Sequence, residues 1–299
     1  MSEAPAVPTQ RAWIEVDRTV RRAELRKIFV DRPVTEHLTG LLDKVRRERD
    51  AMTEPSNIML MGDTGTGKSS FLRKYAARSP SRRTRGNLIQ PVVMTEFLPG
   101  TKLNGAAKIL LIALGDPSRG SGILTDLALR ATDQIIKQKV EMVLLDEFQH
   151  LIETGEKSIN KAGDFVKQVS KATNVPFVMT GMPSALGILK VNSQLAGITP
   201  HLKEMGRFSW ATSEDRLILR RFLARVDDAL PFDDPAGLGD PETAERIFEA
   251  TKGMMRATMT LIKQAAIHSL DRGGEQILAE DLRYGYEQTP GVNHDANPF

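Results

Sequence analysis

The chain has 299 residues, 40% hydrophobic and 26% charged, ordinary for a soluble globular protein and long enough for one large domain with a smaller companion. It has no cysteine, which excludes disulfides and thiolate metal sites. Its start, Met1-Ser2-Glu3-Ala4-Pro5, lacks the basic and apolar runs of a secretory signal, and no apolar stretch reaches membrane-spanning length, so a cytoplasmic protein is expected. The net charge is only +3, yet nine lysines and arginines stand against two acids from Gly62 to Lys108, while Asp227 to Glu245 holds seven acids and no base. Such asymmetry suits one face to a polyanion.

Residues 1–10 are rich in proline and alanine and read as disordered. From about residue 17 to 50 the chain reads as charged helix, broken near Arg32-Pro33, with Leu38, Leu41, Leu42 and Val45 forming a core-facing stripe. Asn57–Met61 is an apolar strand. Behind it comes Gly62-Asp63-Thr64-Gly65-Thr66-Gly67-Lys68-Ser69, then Ser70 and a helix over Lys68–Ala77. Strand, glycine-rich turn and helix make a complete G-x-x-x-x-G-K-[ST] phosphate loop in its proper context. The glycines let several N–H groups point at one place, and the helix adds its positive end. Lys68 would reach the outer phosphates of a nucleoside triphosphate, and Ser69 would offer its hydroxyl to Mg²⁺.

Arg78, Arg82, Arg83 and Arg85 surround Ser79-Pro80-Ser81, which reads as an exposed loop. The cluster fits either a polyanion site or solubility charge. A second strand is expected at Pro91–Phe97, then the loop Pro99-Gly100-Thr101-Lys102, and helices at Ala106–Leu114 and Ile123–Lys137. Met142–Asp146 is a buried strand whose C-terminal tip carries two acids, Asp146 and Glu147. Nucleotide sites in open α/β sheets sit at such tips. Asp146 would hold Mg²⁺, through water, and Glu147 would orient and deprotonate the attacking water. His150 reads as satisfying a local hydrogen bond. A helix at Ala162–Thr173, a strand at Pro176–Gly181 and a short last strand at Arg207–Trp210 complete an α/β core with a parallel sheet covered on both faces.

Beyond residue 212 only helices are expected. Ser213 would cap a helix to Leu230 with Leu217, Phe222, Leu223 and Val226 inward, and Asp240-Pro241 opens another. Helices at Met254–Leu270 and Glu280–Glu287 follow. The divisions are thus 1–50 for an N-terminal extension, 51–212 for the α/β nucleotide-binding core, 213–289 for a helical lid and 290–299 for a polar tail.

A phosphate-loop α/β core followed by a helical domain resembles the AAA+ ATPases. Thr180 stands where that family places a polar residue aligning the attacking water. Arg207, in Met205-Gly206-Arg207-Phe208, matches the arginine that reaches a neighbouring subunit's γ-phosphate. Gly253-Met254-Met255-Arg256 resembles the motif whose arginine, here Arg256, contacts the nucleotide from the helical domain. Within AAA+ proteins the chain resembles the TniB/TnsC branch over roughly residues 15–285. The carrying segments are the basic helices before Asn57, the GDTGTGKS loop, LLDEFQHL at Leu144–Leu151, PFVMTGMPSA at Pro176–Ala185 and GRFSW at Gly206–Trp210.

The resemblance implies ATP and Mg²⁺ as ligands, an oligomer that assembles on double-stranded DNA as a ring or helical filament, and recruitment of a transposase. DNA would be met through phosphate contacts. Lys102 is the first candidate, with Arg82, Arg83 and Arg85 behind it; a solvated loop lysine describes Lys102 equally well. Two other readings stay open. One is a helicase loader or replication initiator, although the residues after the last expected helix leave no room for a helix-turn-helix module. The other is an ATP-bound scaffold with little turnover, against which Glu147 argues.

Overall fold

The computed structural model describes residues 13–84, 86–118, 121–151, 156–291 and 297–299, the side chains of 156–159 excepted. The expectations for residues 1–10 and for Arg85 lie outside the described residues. The described chain forms two compact units. One comprises Val34–Gly206; the other joins the residues up to Pro33 with those from Arg207 onward. The stretch 1–50 read as a single extension is therefore shared between them, α1 (Arg18–Lys27) in one and α2 (Pro33–Glu48) almost wholly in the other.

The larger unit is built on five parallel strands. In chain order they are β1 (Ile58–Met61), β4 (Val92–Glu96), β5 (Met142–Asp146), β6 (Phe177–Gly181) and β7 (His201–Glu204), and their order across the sheet is β4-β5-β6-β1-β7. Parallel neighbours require crossovers. These are supplied by α3 (Lys68–Ala77), α4 (Leu103–Ala113), α5 (Leu124–Lys137), α6 (Glu156–Thr173) and two short helices, α7 (Gly187–Val191) and α8 (Ser193–Gly197). Strands β5 and β6 are buried along their whole length, as strands covered on both faces must be. Val143, Leu145, Phe177 and Met179 pack there with Leu110, Ala131 and Val166 of the covering helices. In α2, Leu38, Leu42 and Val45 are buried, as the helical stripe requires.

The structure departs from further expectations. Arg207–Trp210 is not a strand. The last strand is β7, an edge strand of sequence His-Leu-Lys-Glu with alternate residues exposed, too polar to announce itself. The apolar residues of the expected strand serve the other unit instead: Phe208 packs on Phe222 with ring centroids 4.8 Å apart, and Trp210 stacks on Phe248. Ser79, Pro80 and Ser81 lie outside any helix or strand, as expected of a loop, but Arg82 and Arg83 beside it are in regular structure. They lie on β2 (Arg82–Thr84), which pairs antiparallel with β3 (Asn87–Ile89) around a turn containing Gly86 at φ +84°. Finally, Leu217 is 40% exposed, and Leu219 joins Phe222, Leu223 and Val226 on the inward face.

The second unit packs α1 with α9 (Ser213–Asp228), α10 (Pro241–Thr251), α11 (Met255–Asp271) and α12 (Ala279–Glu287) around one apolar cluster. Thr212, not Ser213, caps α9, and it forms a reciprocal capping box with Asp215. The chain end returns to this unit: Arg283 donates to the Phe299 carbonyl and Phe299 meets Tyr286 edge-on.

Asp281 ties α12 to α11. Its side chain is fully buried and meets Arg272 at 2.7 and 3.0 Å, the Leu278 N–H at 2.8 Å and His268 Nδ1 at 2.7 Å. Burial pushes its carboxyl up, but the hydrogen bonds from Arg272, Leu278 and His268 outweigh this and hold it below its ordinary 3.8. The ionised form is thus favoured by folding, so the contribution is complete above 3.8 and is lost as pH falls below it. Asp281→Ala should lower the unfolding free energy by about 3 kcal/mol at neutral pH. Chemical denaturation at pH 7 and pH 3 checks this, the difference from the unchanged chain shrinking at the lower pH.

Candidate active site

The tips of β1, β5 and β6 converge on the loop Gly62–Gly67. Gly62 donates its N–H to the Gly181 carbonyl at 3.1 Å, and Met205 donates to the Met61 carbonyl at 2.7 Å. A Cβ on Gly62 would lie 2.3 Å from the Met205 carbonyl oxygen. Only glycine fits where the end of β1 is enclosed by backbone. Gly65 and Gly67 then take φ of +85° and +100°, a region that excludes most side chains. Gly67 is the N-cap of α3, and its carbonyl accepts the Phe71 N–H at 2.9 Å. The N–H groups of a helix's first turn have no partner within the helix, which makes this end suited to an anion.

Lys68 is 6% exposed and folds back over the loop, donating to the Gly62 carbonyl at 2.7 Å and the Asp63 carbonyl at 3.0 Å. The buried Thr66 hydroxyl donates to the Asp63 carbonyl at 2.9 Å. Asp63, Thr64 and Ser70 are exposed, and Ser69 is half-buried on the first turn of α3.

Asp146 is fully buried at the tip of β5. Its Oδ1 accepts the Thr180 hydroxyl at 2.5 Å and the Glu147 N–H at 3.0 Å. Its Oδ2 is buried with no hydrogen-bond partner among the described residues. Glu147 sits at φ +55°, a conformation that costs a residue with a side chain about 1–2 kcal/mol. It turns the chain sharply off the strand and lets the 3-10 turn Phe148–Leu151 fold beneath it. The Glu147 carboxylate accepts from Gln149 Nε2 and has His150 Nε2 at 3.9 Å. The sequence reading placed Asp146, Glu147 and Thr180 at one site and the structure brings them together. It missed Gln149, for which no spacing signal exists.

A sequence model of the family described as the bacterial TniB protein matches residues 12–197, which take in the loop, both acids and Thr180. The chain belongs to the TniB family. No curated protein sequence matches it. Among solved structures it is similar to the ORC2 protein of Aeropyrum pernix, described as ADPNP-ADP complexes, with TM-score 0.65 and 12% identity over 91% of this chain and 72% of that one. The Cdc6p of Pyrobaculum aerophilum gives TM-score 0.64 and 15% identity over 91% and 72%. The ORC1 protein of Aeropyrum pernix in complex with DNA gives 0.56 and 16% over 93% and 69%. At such identities the likeness is one of fold. This TniB chain is a nucleotide-binding P-loop ATPase of the AAA+ type, with a five-strand parallel sheet and a helical C-terminal region.

The two arginines of the TniB chain singled out by resemblance belong to the helical unit, and both are exposed. One backbone contact links their neighbourhoods. Phe208 donates to the Gly253 carbonyl at 2.9 Å, and a Cβ on Gly253 would lie 2.1 Å from the Phe208 carbonyl oxygen. Lys252 and Gly253, at φ +49° and +69°, end α10 and start α11, so Arg256 lies in the first turn of α11.

The basic candidates are not neighbours. Lys102 is exposed at the start of α4, beyond the C-terminal end of β4. Arg82 and Arg83 are exposed on the hairpin that precedes the N-terminal end of β4, where a Cβ on Gly115 would lie 3.9 Å from Leu88. The intervening strand spans about 16 Å at the usual rise per residue.

Gly62→Ala tests how closely the loop is enclosed. Its methyl group has no space beside the Met205 carbonyl, so stability should fall by about 1–3 kcal/mol. Thermal unfolding and titration with a fluorescent ATP analogue should both register the change, as a lower melting temperature and a weaker affinity.

Proposed function

We propose that this TniB-family ATPase assembles on double-stranded DNA in an ATP-dependent way, as a ring or helical filament, recruits or regulates a transposase at target sites, and disassembles on hydrolysis. The observation that carries the reading is the family match over residues 12–197, because it spans the whole loop-and-acid constellation. The fold it shares with an ORC1 protein solved in complex with DNA supports the nucleic-acid part.

In this reading the N–H groups of Gly62 to Ser69 cradle the phosphates, with Asp63, Thr64 and Ser70 at the mouth. Lys68 exchanges its bonds to the Gly62 and Asp63 carbonyls for phosphate oxygens. The residues fit a divalent cation. The buried, unpartnered Oδ2 of Asp146 is an oxygen that a hard cation satisfies, directly or through water, and the Ser69 hydroxyl supplies a second ligand. Mg²⁺ held there would neutralise charge on the phosphates. Glu147 orients the attacking water and takes its proton. Thr180 holds Asp146 through its hydroxyl proton and keeps its oxygen as an acceptor for that water. Arg207 reaches a neighbouring subunit's γ-phosphate and Arg256 the nucleotide of its own subunit, so turnover depends on assembly. Lys102, Arg82 and Arg83 contact DNA phosphates at two separate places along β4.

The ORC and Cdc6 likeness of fold favours a second reading, a loader or initiator for replication, in which no transposase is engaged.

Sedimentation and ATPase rates with and without duplex DNA separate these. ATP and DNA together should give large assemblies whose affinity falls linearly with salt on a log–log scale, and Lys102→Ala should reduce that slope. Glu147→Gln should cut turnover by about 100-fold or more while trapping the assemblies on DNA. A small species that hydrolyses ATP without regard to DNA would sink the assembly reading, and assemblies that bind no cognate transposase would favour the loader.

A further inference from the structure

Gln149 follows the acid pair by two residues and is 4% exposed. Both ends of its amide are in use. Nε2 donates to Glu147 Oε2, and Oε1 accepts the Met182 N–H at 3.2 Å. The orientation is dictated by chemistry, since a backbone N–H can only donate and the atom facing it must be the amide oxygen. Met182 directly follows β6, two residues after Thr180. Gly181, between them, leaves the space: a Cβ there would lie 2.6 Å from Gln149 Oε1. The left-handed turn at Glu147, closed by the His150 N–H on the Glu147 carbonyl at 3.1 Å, brings Gln149 back beneath the acid.

A glutamate just beyond a strand end has three rotatable side-chain bonds, and ordering it costs entropy. His150 Nε2 is 3.9 Å from the same carboxylate oxygen, beyond hydrogen-bond reach. Gln149 Nε2 is the side-chain donor hydrogen-bonded to that oxygen. We propose that Gln149 is a positioning residue for hydrolysis: its amide clamps the Glu147 carboxylate to the tip of β6 and so sets the water-activating base in register with Thr180. This rests on the reading of Glu147 as that base. Gly181 belongs to the same device, because any larger residue displaces the amide.

The test is steady-state ATPase kinetics on the full chain with its DNA, alongside binding of a fluorescent ATP analogue. Gln149→Glu keeps the length and the acceptor toward Met182 but removes the N–H toward Glu147. It should lower kcat by about 10- to 100-fold, the scale of a small misplacement of a reacting group. KM and nucleotide Kd should change by less than about twofold, because nothing that holds ATP is touched. Gly181→Ala should lower kcat in the same direction. In the Glu147→Gln background, adding Gln149→Glu should cost no further activity, since the base it orients is already gone. If Gln149→Glu does not fold, Gln149→Met, uncharged and of similar length, carries the same expectations. An unchanged kcat overturns the proposal, and so does an equal fractional loss on top of Glu147→Gln, which would mark a merely structural glutamine. If Glu147→Gln itself leaves turnover intact, the base assignment is what fails, and the clamp falls with it.

Discussion

Burying a carboxyl group costs free energy unless each oxygen finds a donor or a cation, and β5, an interior strand of the sheet, ends on such a group. The arrangement of three strand tips follows from satisfying Asp146. Its Oδ1 needs the Thr180 hydroxyl, so β6 must lie beside β5 in the register that pairs Leu145 with Met179 and sets Thr180 next to the acid. The same oxygen takes the Glu147 N–H, which only the left-handed turn presents. On its far side β6 pairs with β1, and the Gly181 carbonyl receives the first N–H of the phosphate loop. The acid, the tip of β6 and the loop are thus one hydrogen-bonded unit, standing on a floor of buried apolar strands.

The cost of this assembly is carried by glycine and strain at a few places. Gly62 fits under the Met205 carbonyl because it has no Cβ, and Gly181 does the same for the Gln149 amide. Glu147 has a side chain and accepts an unfavourable backbone conformation. Strain of that kind persists where surrounding bonds overdetermine it, and here the His150 N–H, the Gln149 amide and Asp146 all hold the turn.

Local signals were readable where chemistry demands residue types at fixed spacing. The phosphate loop and α3, bounded at Lys68 and Ala77, and the acid strand Met142–Asp146 could be read directly from motif and apolar run. Signals that depend on partners far along the chain were not. β7 pairs with one neighbour only, so its His-Leu-Lys-Glu sequence has no apolar run. Phe208 and Trp210 looked like a strand because they are apolar and alternate; the helices that carry their partners Phe222 and Phe248 were legible, but no local pattern says that those side chains meet Phe208 and Trp210. Leu217 and Leu219 differ by two positions, about half a helical turn, and only the packed unit decides which faces inward. Gln149 lies inside LLDEFQHL, but nothing there points to its partner Met182, 33 residues on.

The contact between Phe208 and Gly253 has a consequence for how the helical unit can behave. Arg207 and Arg256 stand one and three residues from a backbone hydrogen bond with no room for even a methyl group. On the proposed reading, one arginine samples a neighbour's nucleotide and the other its own. If they do, a tilt of α11 would be felt at Arg207 through this bond, and the two nucleotide contacts would be coupled within one chain.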